Sequence, residues 1–460
     1  MCLAPQANNV QQLFENLQGN QAISKYQLTM TKSMAAFYIW RLILLSAIKK
    51  AEIVKVGSLP HLSRLAQYGD TYAKYNAVGA LLTLATSPDI RDKMCDQSLV
   101  NAVSRILLNT HDRTRTNAAK LLALFAEAPY HLPKLANVLP AVIEASRSAG
   151  SDWAHGDLAQ ERVLFVARQL AVALPGSDGL KPDQTWRPNF LQVDGVTKLL
   201  KIVETAALPE SRAHALVSLE SLCSEKGVPQ QLVDLGGLPL FAKCLSDAFD
   251  ESRAASASLL FTLTTELDRM ETLIPAIPAL VAMLNPKVPE PEGKKKKPKK
   301  KKGANLPPAL ANGVRFATAC LRHLSFIDEA KLSIVQCGAI PFVVKGLEFR
   351  KKGMDIEWFE HATGLLYNLA MVGDHKANLE AAKAPKYISR PLHEAWLIFL
   401  EEQRELEESE EEQEEMVETK SRYLRTPASK GAPKPGFGSS AKKASNPGTG
   451  LQRQPLSRVK

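Results

Sequence analysis

The sequence predicts an all-α solenoid of about eight stacked helical repeats. Three observations lead there. A short phrase built on Gly, an aliphatic residue and Pro recurs with a period near 40 residues. A second phrase follows each copy with the spacing of one helix face. The composition, with aromatics at only 6%, suits helix-on-helix packing better than a β-sandwich. At 460 residues the chain also exceeds one ordinary core, so an array or several domains is expected.

The first phrase reads GSLPHLSRL from Gly57, GGLPLFAKCL from Gly236 and GAIPFVVKGL from Gly338. Degenerate copies are NVLPAVIEA from Asn137, DGVTKLLKIV from Asp194 and IPAIPALVAML from Ile274. Pro60 and Pro140 are 80 residues apart, two periods of 40, and Pro239 and Pro278 are 39 apart. The copy missing between them falls near Val100, where SLVNAVSRIL reads as the same helix without its proline. Gly suits a turn between helices and Pro suits a first helical turn, so each phrase marks a break followed by a helix start.

The second phrase is a small residue, Leu four later and Leu three after that. It reads AVGALLTLA at 77–85, AAKLLALFA at 118–126, ALVSLESLC at 215–223, ASLLFTLTT at 257–265, ATACLRHLS at 317–325 and ATGLLYNLA at 362–370. Spacing of i, i+4, i+7 is one face of an α-helix. Small residues allow close approach and the leucines fill the seam between repeats. A 40-residue unit cannot bury that face alone, so its neighbours must.

These residues resemble the armadillo family, best where GAIPFVVKGL is followed by TGLLYNLA and where IVQCG and LVDLG precede the glycines. The resemblance covers roughly residues 25–390 and implies a right-handed superhelix whose third helices line a concave groove that takes extended peptides. It further implies that the position just before the last Leu of the second phrase faces that groove. Here that position holds Arg41, Thr83, Leu124, Gln169, Ser221, Thr262, His323 and Asn368. Importin-α-like adaptors carry Asn there repeatedly, with Trp four residues earlier. This chain has the Asn once, at Asn368, with Gly364 in place of the Trp, which argues against a nuclear-import receptor. β-Catenin-like grooves are rich in Lys and Arg, and this ladder has only Arg41 in that role.

The expected organisation is a lead-in at 1–24, a repeat array at 25–395 with loop insertions at 175–190 and 286–308, an acidic helix at 396–419 and a disordered basic tail at 420–460. The second insertion carries Lys294, Lys295, Lys296, Lys297, Lys299, Lys300, Lys301 and Lys302 around Pro298. Residues 401–418 hold eleven Glu and one Arg, and 420–460 hold ten Lys or Arg and no acid. These segments carry +8, −10 and +10 of a net +10, which leaves +2 for the array itself. The basic character is therefore concentrated in two segments. The lysine run reads as a solvated spacer, as a nuclear-localisation signal, or as a contact for an anionic surface such as nucleic acid, tubulin tails or membrane. The tail resembles the Lys/Pro/Ser-rich projections of microtubule-associated proteins, with Thr426 before Pro427 as a candidate phosphosite.

Motifs for catalysis are missing from the sequence: no Gly-rich phosphate loop after a strand, no Gly-x-Ser-x-Gly, no His-Glu-x-x-His. The six cysteines, at 2, 95, 223, 244, 320 and 337, form no Cys-x-x-Cys pair and read as reduced, mostly buried residues. The one strongly apolar stretch, Met34 to Ile48, is short for a bilayer span and carries Arg41, so no span is expected. The functional expectation is a non-enzymatic scaffold that binds a protein segment, with no cofactor, metal or small-molecule substrate, in the cytoplasm, with nuclear and cytoskeletal sites open. Two alternatives stand beside it: a cytoskeletal or ciliary microtubule-associated component, and a nucleic-acid-associated protein using the lysine loop and tail.

Overall fold

Glycine sets the first joint of three repeats. Gly57, Gly236 and Gly338, which open the three clearest copies of the Gly-aliphatic-Pro phrase, have φ of 85°, 75° and 75°. Only glycine takes this left-handed conformation without steric cost, and it turns the chain sharply between a short first helix and the second. In a degenerate copy Asp194 takes the same conformation at φ 55°, which Asp tolerates better than most residues.

The structure is a computed structural model, and it describes residues 10–19, 25–109, 112–148, 156–173, 186–267, 269–285, 306–349, 356–371 and 375–384. The described helices fall into repeats. A first pair, α1 (Val10–Gln18) and α2 (Lys25–Leu45), leads the array. Three-helix units follow: α3 (Ala47–Lys55), α4 (Ser58–Tyr68) and α5 (Thr71–Ala85); α6 (Pro88–Met94), α7 (Gln97–Asn109) and α8 (Asp112–Ala126); α9 (Leu132–Ala136), α10 (Leu139–Ser148) and α11 (Gly156–Val172). The next are α12 (Arg187–Gln192), α13 (Gly195–Thr205) and α14 (Pro209–Leu222); α15 (Val228–Asp234), α16 (Gly237–Cys244) and α17 (Asp250–Glu266). In the seventh, a 3-10 segment Met270–Ala276 stands for the first helix before α18 (Ile277–Met283) and α19 (Pro308–Leu324). The eighth is α20 (Asp328–Gln336), α21 (Ala339–Phe349) and α22 (Ile356–Ala370), with α23 (Lys376–Ala381) after it. No strand occurs among the described residues.

Capping chemistry explains several starts. Asp70 precedes α5 and its carboxylate accepts from the Ala73 backbone N–H at 2.8 Å; Asp96 accepts from the Leu99 N–H at 2.7 Å and opens α7. Pro88, Pro209 and Pro308 stand in the first turn of α6, α14 and α19, where a missing N–H costs no helical bond.

The third helices α2, α5, α8, α11, α14, α17, α19 and α22 stack side by side, each packed on the next. The second phrase is their seam. Ala77, Leu81 and Leu84, Ala317, Leu321 and Leu324, and Ala362, Leu366 and Leu369 are all wholly buried. The first and second helices cover the other side of the core, with Leu62, Leu107, Leu199 and Phe241 inside it. Cys95, Cys223, Cys244 and Cys320 are buried in the same core, where burial pushes the Cys95 and Cys223 thiols up to about 12, so both stay protonated.

Three sequence expectations are corrected or fall outside this description. The insertion expected at 175–190 ends earlier, because Arg187–Gln192 form α12, the first helix of its repeat. Trp186 and Phe190 anchor that helix in the core, and a Pro-rich surrounding hid it. The apolar N-terminal stretch is longer than Met34 to Ile48: Gln27–Leu45, 19 residues, is long and apolar enough for a bilayer crossing. It nonetheless packs as the first third helix, with Ala35, Ala36, Ile39 and Ile43 buried. Residues 286–305 with Lys294–Lys302, the acidic segment 396–419, and the tail with Thr426 lie outside the described residues.

Candidate protein-binding groove

The ladder of positions read from the sequence falls on the eight third helices, near their C-terminal ends. Arg41 is exposed, with its guanidinium carbon 5.9 Å from the Phe37 ring centre. Leu124 and Gln169 are half-buried. The remaining ladder residues are bonded within the protein. Thr83 Oγ1 accepts from Trp40 Nε1 at 3.0 Å and donates to the Gly79 carbonyl at 2.9 Å. Ser221 and Thr262 donate to carbonyls of their own helices, Val217 at 3.0 Å and Ser258 at 3.1 Å. His323 Nδ1 is 2.9 Å from Thr264 Oγ1, and Asn368 Nδ2 donates to Ser325 Oγ at 2.9 Å. Thr83, His323 and Asn368 thus tie each third helix to the one before it.

The position one residue earlier escaped the sequence reading. It holds Trp40, Leu82, Ala123, Arg168, Glu220, Phe261, Arg322 and Tyr367, and its long members reach across to the following helix. Trp40 packs on α5, 5.2 Å from the Tyr75 ring and edge-on to it, and fills the space over Gly79. Arg168 Nη1 lies 3.4 Å from His214 Nδ1, Glu220 accepts from Ser258 Oγ at 2.6 Å, and Arg322 Nη1 lies 3.3 Å from His361 Nδ1. Gly364, which stands where an importin-like groove would carry Trp, receives Arg322 instead.

From α11 onward several charges on the third helices are paired within the protein. Glu161 meets Arg162 at 3.0 Å and His214 at 3.4 Å; Arg315 meets Glu357 at 2.7 Å; Arg322 meets Glu360 at 3.6 Å. Burial raises the Glu220 carboxyl, against the Ser258 hydrogen bond and the Arg168 charge, which lower it. Phe261 gathers Phe316, His323 and His361 within 6.2 Å. Burial and then the Arg322 charge hold His323 and His361 below the ordinary histidine value, so both are neutral at pH 7.

The N-terminal part differs. Trp40, Tyr75, Arg113, Thr116, Asn117, Lys120 and Leu158 line an open cleft of about 410 Å³ that spans α2, α5, α8 and α11. Arg113, Asn117 and Lys120 stand at i, i+4 and i+7 of α8, on one face. Their side chains have no hydrogen-bond or ion-pair partner among the described residues, and no carboxylate lines the cleft. A second cleft, lined by Leu191, Asp194, Lys226, Gln231 and their neighbours, lies where the α12–α13 turn meets the start of α15 and holds no third-helix residue. Among the described residues no group of three His, Cys, Asp or Glu could hold a metal ion.

No family model matches the sequence, and neither does any curated protein. Solved structures do resemble it. An engineered protein is 20% identical, with a TM-score of 0.57 over 79% of this chain and 79% of its own. A structure from work on a phosphorylation switch controlling the interaction between cadherin and β-catenin is 17% identical, with a TM-score of 0.59 over 80% of this chain and 62% of its own. Computationally designed armadillo repeat proteins for modular peptide recognition are 15% identical, with a TM-score of 0.45 over 55% of this chain and 99% of theirs. The chain has the fold of the armadillo-repeat solenoids.

Proposed function

We propose that the protein is a non-catalytic scaffold that holds an extended segment of a protein partner along its third-helix face. The observation that supports this best is the cleft across α2, α5, α8 and α11. It exposes an aromatic pair, together with an amide and two cations that have no side-chain partner among the described residues. Polar groups left free on a rigid surface are available to a ligand at little reorganisation cost. The fold neighbour associated with the cadherin and β-catenin interaction accords with a protein-binding role. The lysine run at 294–302 and the basic tail at 420–460 would add a salt-sensitive second contact to an anionic surface, since they hold +18 of the chain's positive charge.

Affinity capture on the full chain with crosslinking mass spectrometry tests the reading. Crosslinks to partner should form from Lys74 and Lys120 on the third helices. Crosslinks confined to the outer helices or the tail would move the binding site off the groove. A concentration of charge in the tail keeps the cytoskeletal alternative in view, and co-sedimentation with microtubules, abolished by removing 420–460, would favour it.

A further inference from the structure

We infer that the cleft between α2 and α11 takes an acidic segment of a protein partner, with a carboxylate of Asp or Glu on Arg113 and Lys120 and an aromatic or aliphatic side chain against Trp40 or Leu158. The inference rests on the scaffold reading above and specifies its ligand. Charge complementarity is the first ground. Arg113 is exposed and Lys120 half-buried, both without a partner among the described residues, while Arg315 and Arg322 toward the C-terminal part of the groove already hold Glu357 and Glu360. An incoming carboxylate therefore gains two cations here, whereas at Arg315 and Arg322 it would meet Glu357 and Glu360.

Geometry is the second ground. Trp40 is pinned: its indole N–H is spent on Thr83 at 3.0 Å and its ring is braced edge-on by Tyr75. A fixed aromatic face costs no rotamer entropy when an apolar side chain lands on it. Leu158, 46% exposed, supplies apolar surface on the opposite wall. Asn117 stands between Arg113 and Lys120 with neither its carbonyl nor its amino group bonded among the described residues, the pair that an extended backbone satisfies with one C=O and one N–H. Neighbouring helices pack at roughly 8–10 Å and an extended chain rises about 3.3 Å per residue, so each helix crossed corresponds to about three residues of ligand. Carboxylate and apolar anchor are thus expected about three to six residues apart.

The test pans a random dodecapeptide phage library over the immobilised full chain at neutral pH. Enriched peptides should carry Asp or Glu with an aromatic or aliphatic residue at that spacing. Synthetic copies should bind the R113E/K120E variant roughly tenfold or more weakly, and weaken as salt rises. Arg113→Ser with Lys120→Ser, milder on the helix, should give a smaller loss in the same direction. Lys201→Glu, an exposed control on α13, should change nothing. Acidic peptides that bind the double variants as well as the parent would belong to the lysine run or the tail and overturn the inference. Enriched peptides without acidic residues would overturn it and leave the groove reading standing. No enrichment over empty beads would remove both.

Discussion

Arg322 on α19 occupies the space over Gly364 on α22: a β-carbon on that glycine would stand 2.6 Å from the arginine Nε. The same register position six repeats earlier, Gly79 on α5, takes Trp40, whose ring would be 2.7 Å from a β-carbon there. The two glycines predict opposite outcomes on substitution. Trp40 is pinned by Thr83 and cannot retreat, so Gly79→Ala should cost about 1–3 kcal/mol through overpacking, partly offset by helix propensity. The Arg322 side chain can swing away, so Gly364→Ala should be neutral or stabilising by up to about 1 kcal/mol. Urea midpoints of the two variants decide it, and equal effects would contradict the packing described.

Leu366 is wholly buried where α22 meets α19. Leu366→Asp puts an unpaired carboxylate into that seam and should destabilise by about 4 kcal/mol or more. A soluble variant with unchanged melting would mean that this residue faces outward.

Asp247 and Arg212 join two successive repeats through a paired contact, Nε to Oδ2 at 2.8 Å and Nη2 to Oδ1 at 2.9 Å. Asp247 also accepts from Ser252 Oγ and from the Ala248 N–H. Asp247→Ala strips the acceptor from all three and leaves the arginine largely buried, for a loss of about 2–4 kcal/mol. Arg212→Lys should not preserve stability, because a point ammonium cannot reproduce the fork. Thermal melts of both variants at neutral pH test this.

His323 and His361 make stability depend on pH. Burial and the Arg322 charge lower both, against the pull of Glu360 and Glu357 on His361. The unfolded chain takes up protons near the ordinary value of 6.5, while the native chain resists until lower pH. Stability is therefore full above about pH 6.5 and falls as pH drops below it, levelling once the lowered native values are passed. Replacing both with Gln should flatten the melting profile below the ordinary value of 6.5. A profile unchanged by the double replacement would place the acid sensitivity elsewhere.

Much of the array was legible in the sequence because its two phrases answer separate physical demands. A left-handed joint needs Gly57, Gly236 and Gly338, and a tight seam needs Ala77, Ala317 and Ala362 beneath their leucines. The short helix Arg187–Gln192 was hidden by its proline and its polar neighbours, although Trp186 and Phe190 were the anchors that could have marked it. The cleft could not be read. Trp40, Tyr75, Arg113 and Leu158 come from four different repeats, and periodicity within one helix does not say which exposed residues meet. The ladder inherited from the family resemblance points to positions where Thr83, His323 and Asn368 serve as braces between helices. The residues with unused bonding capacity stand elsewhere on the same helices.

Because each third helix packs chiefly on the one before and the one after it, the stack behaves as a row of linked springs. Seven junctions separate α2 from α22, and a small tilt at each adds to the next. The distance from Trp40 on α2 to the far end of the row at α22 is then soft, although every individual junction is tightly packed. Two anchoring points carried on such a row can accommodate ligands whose own spacing varies, with the strain shared among all seven.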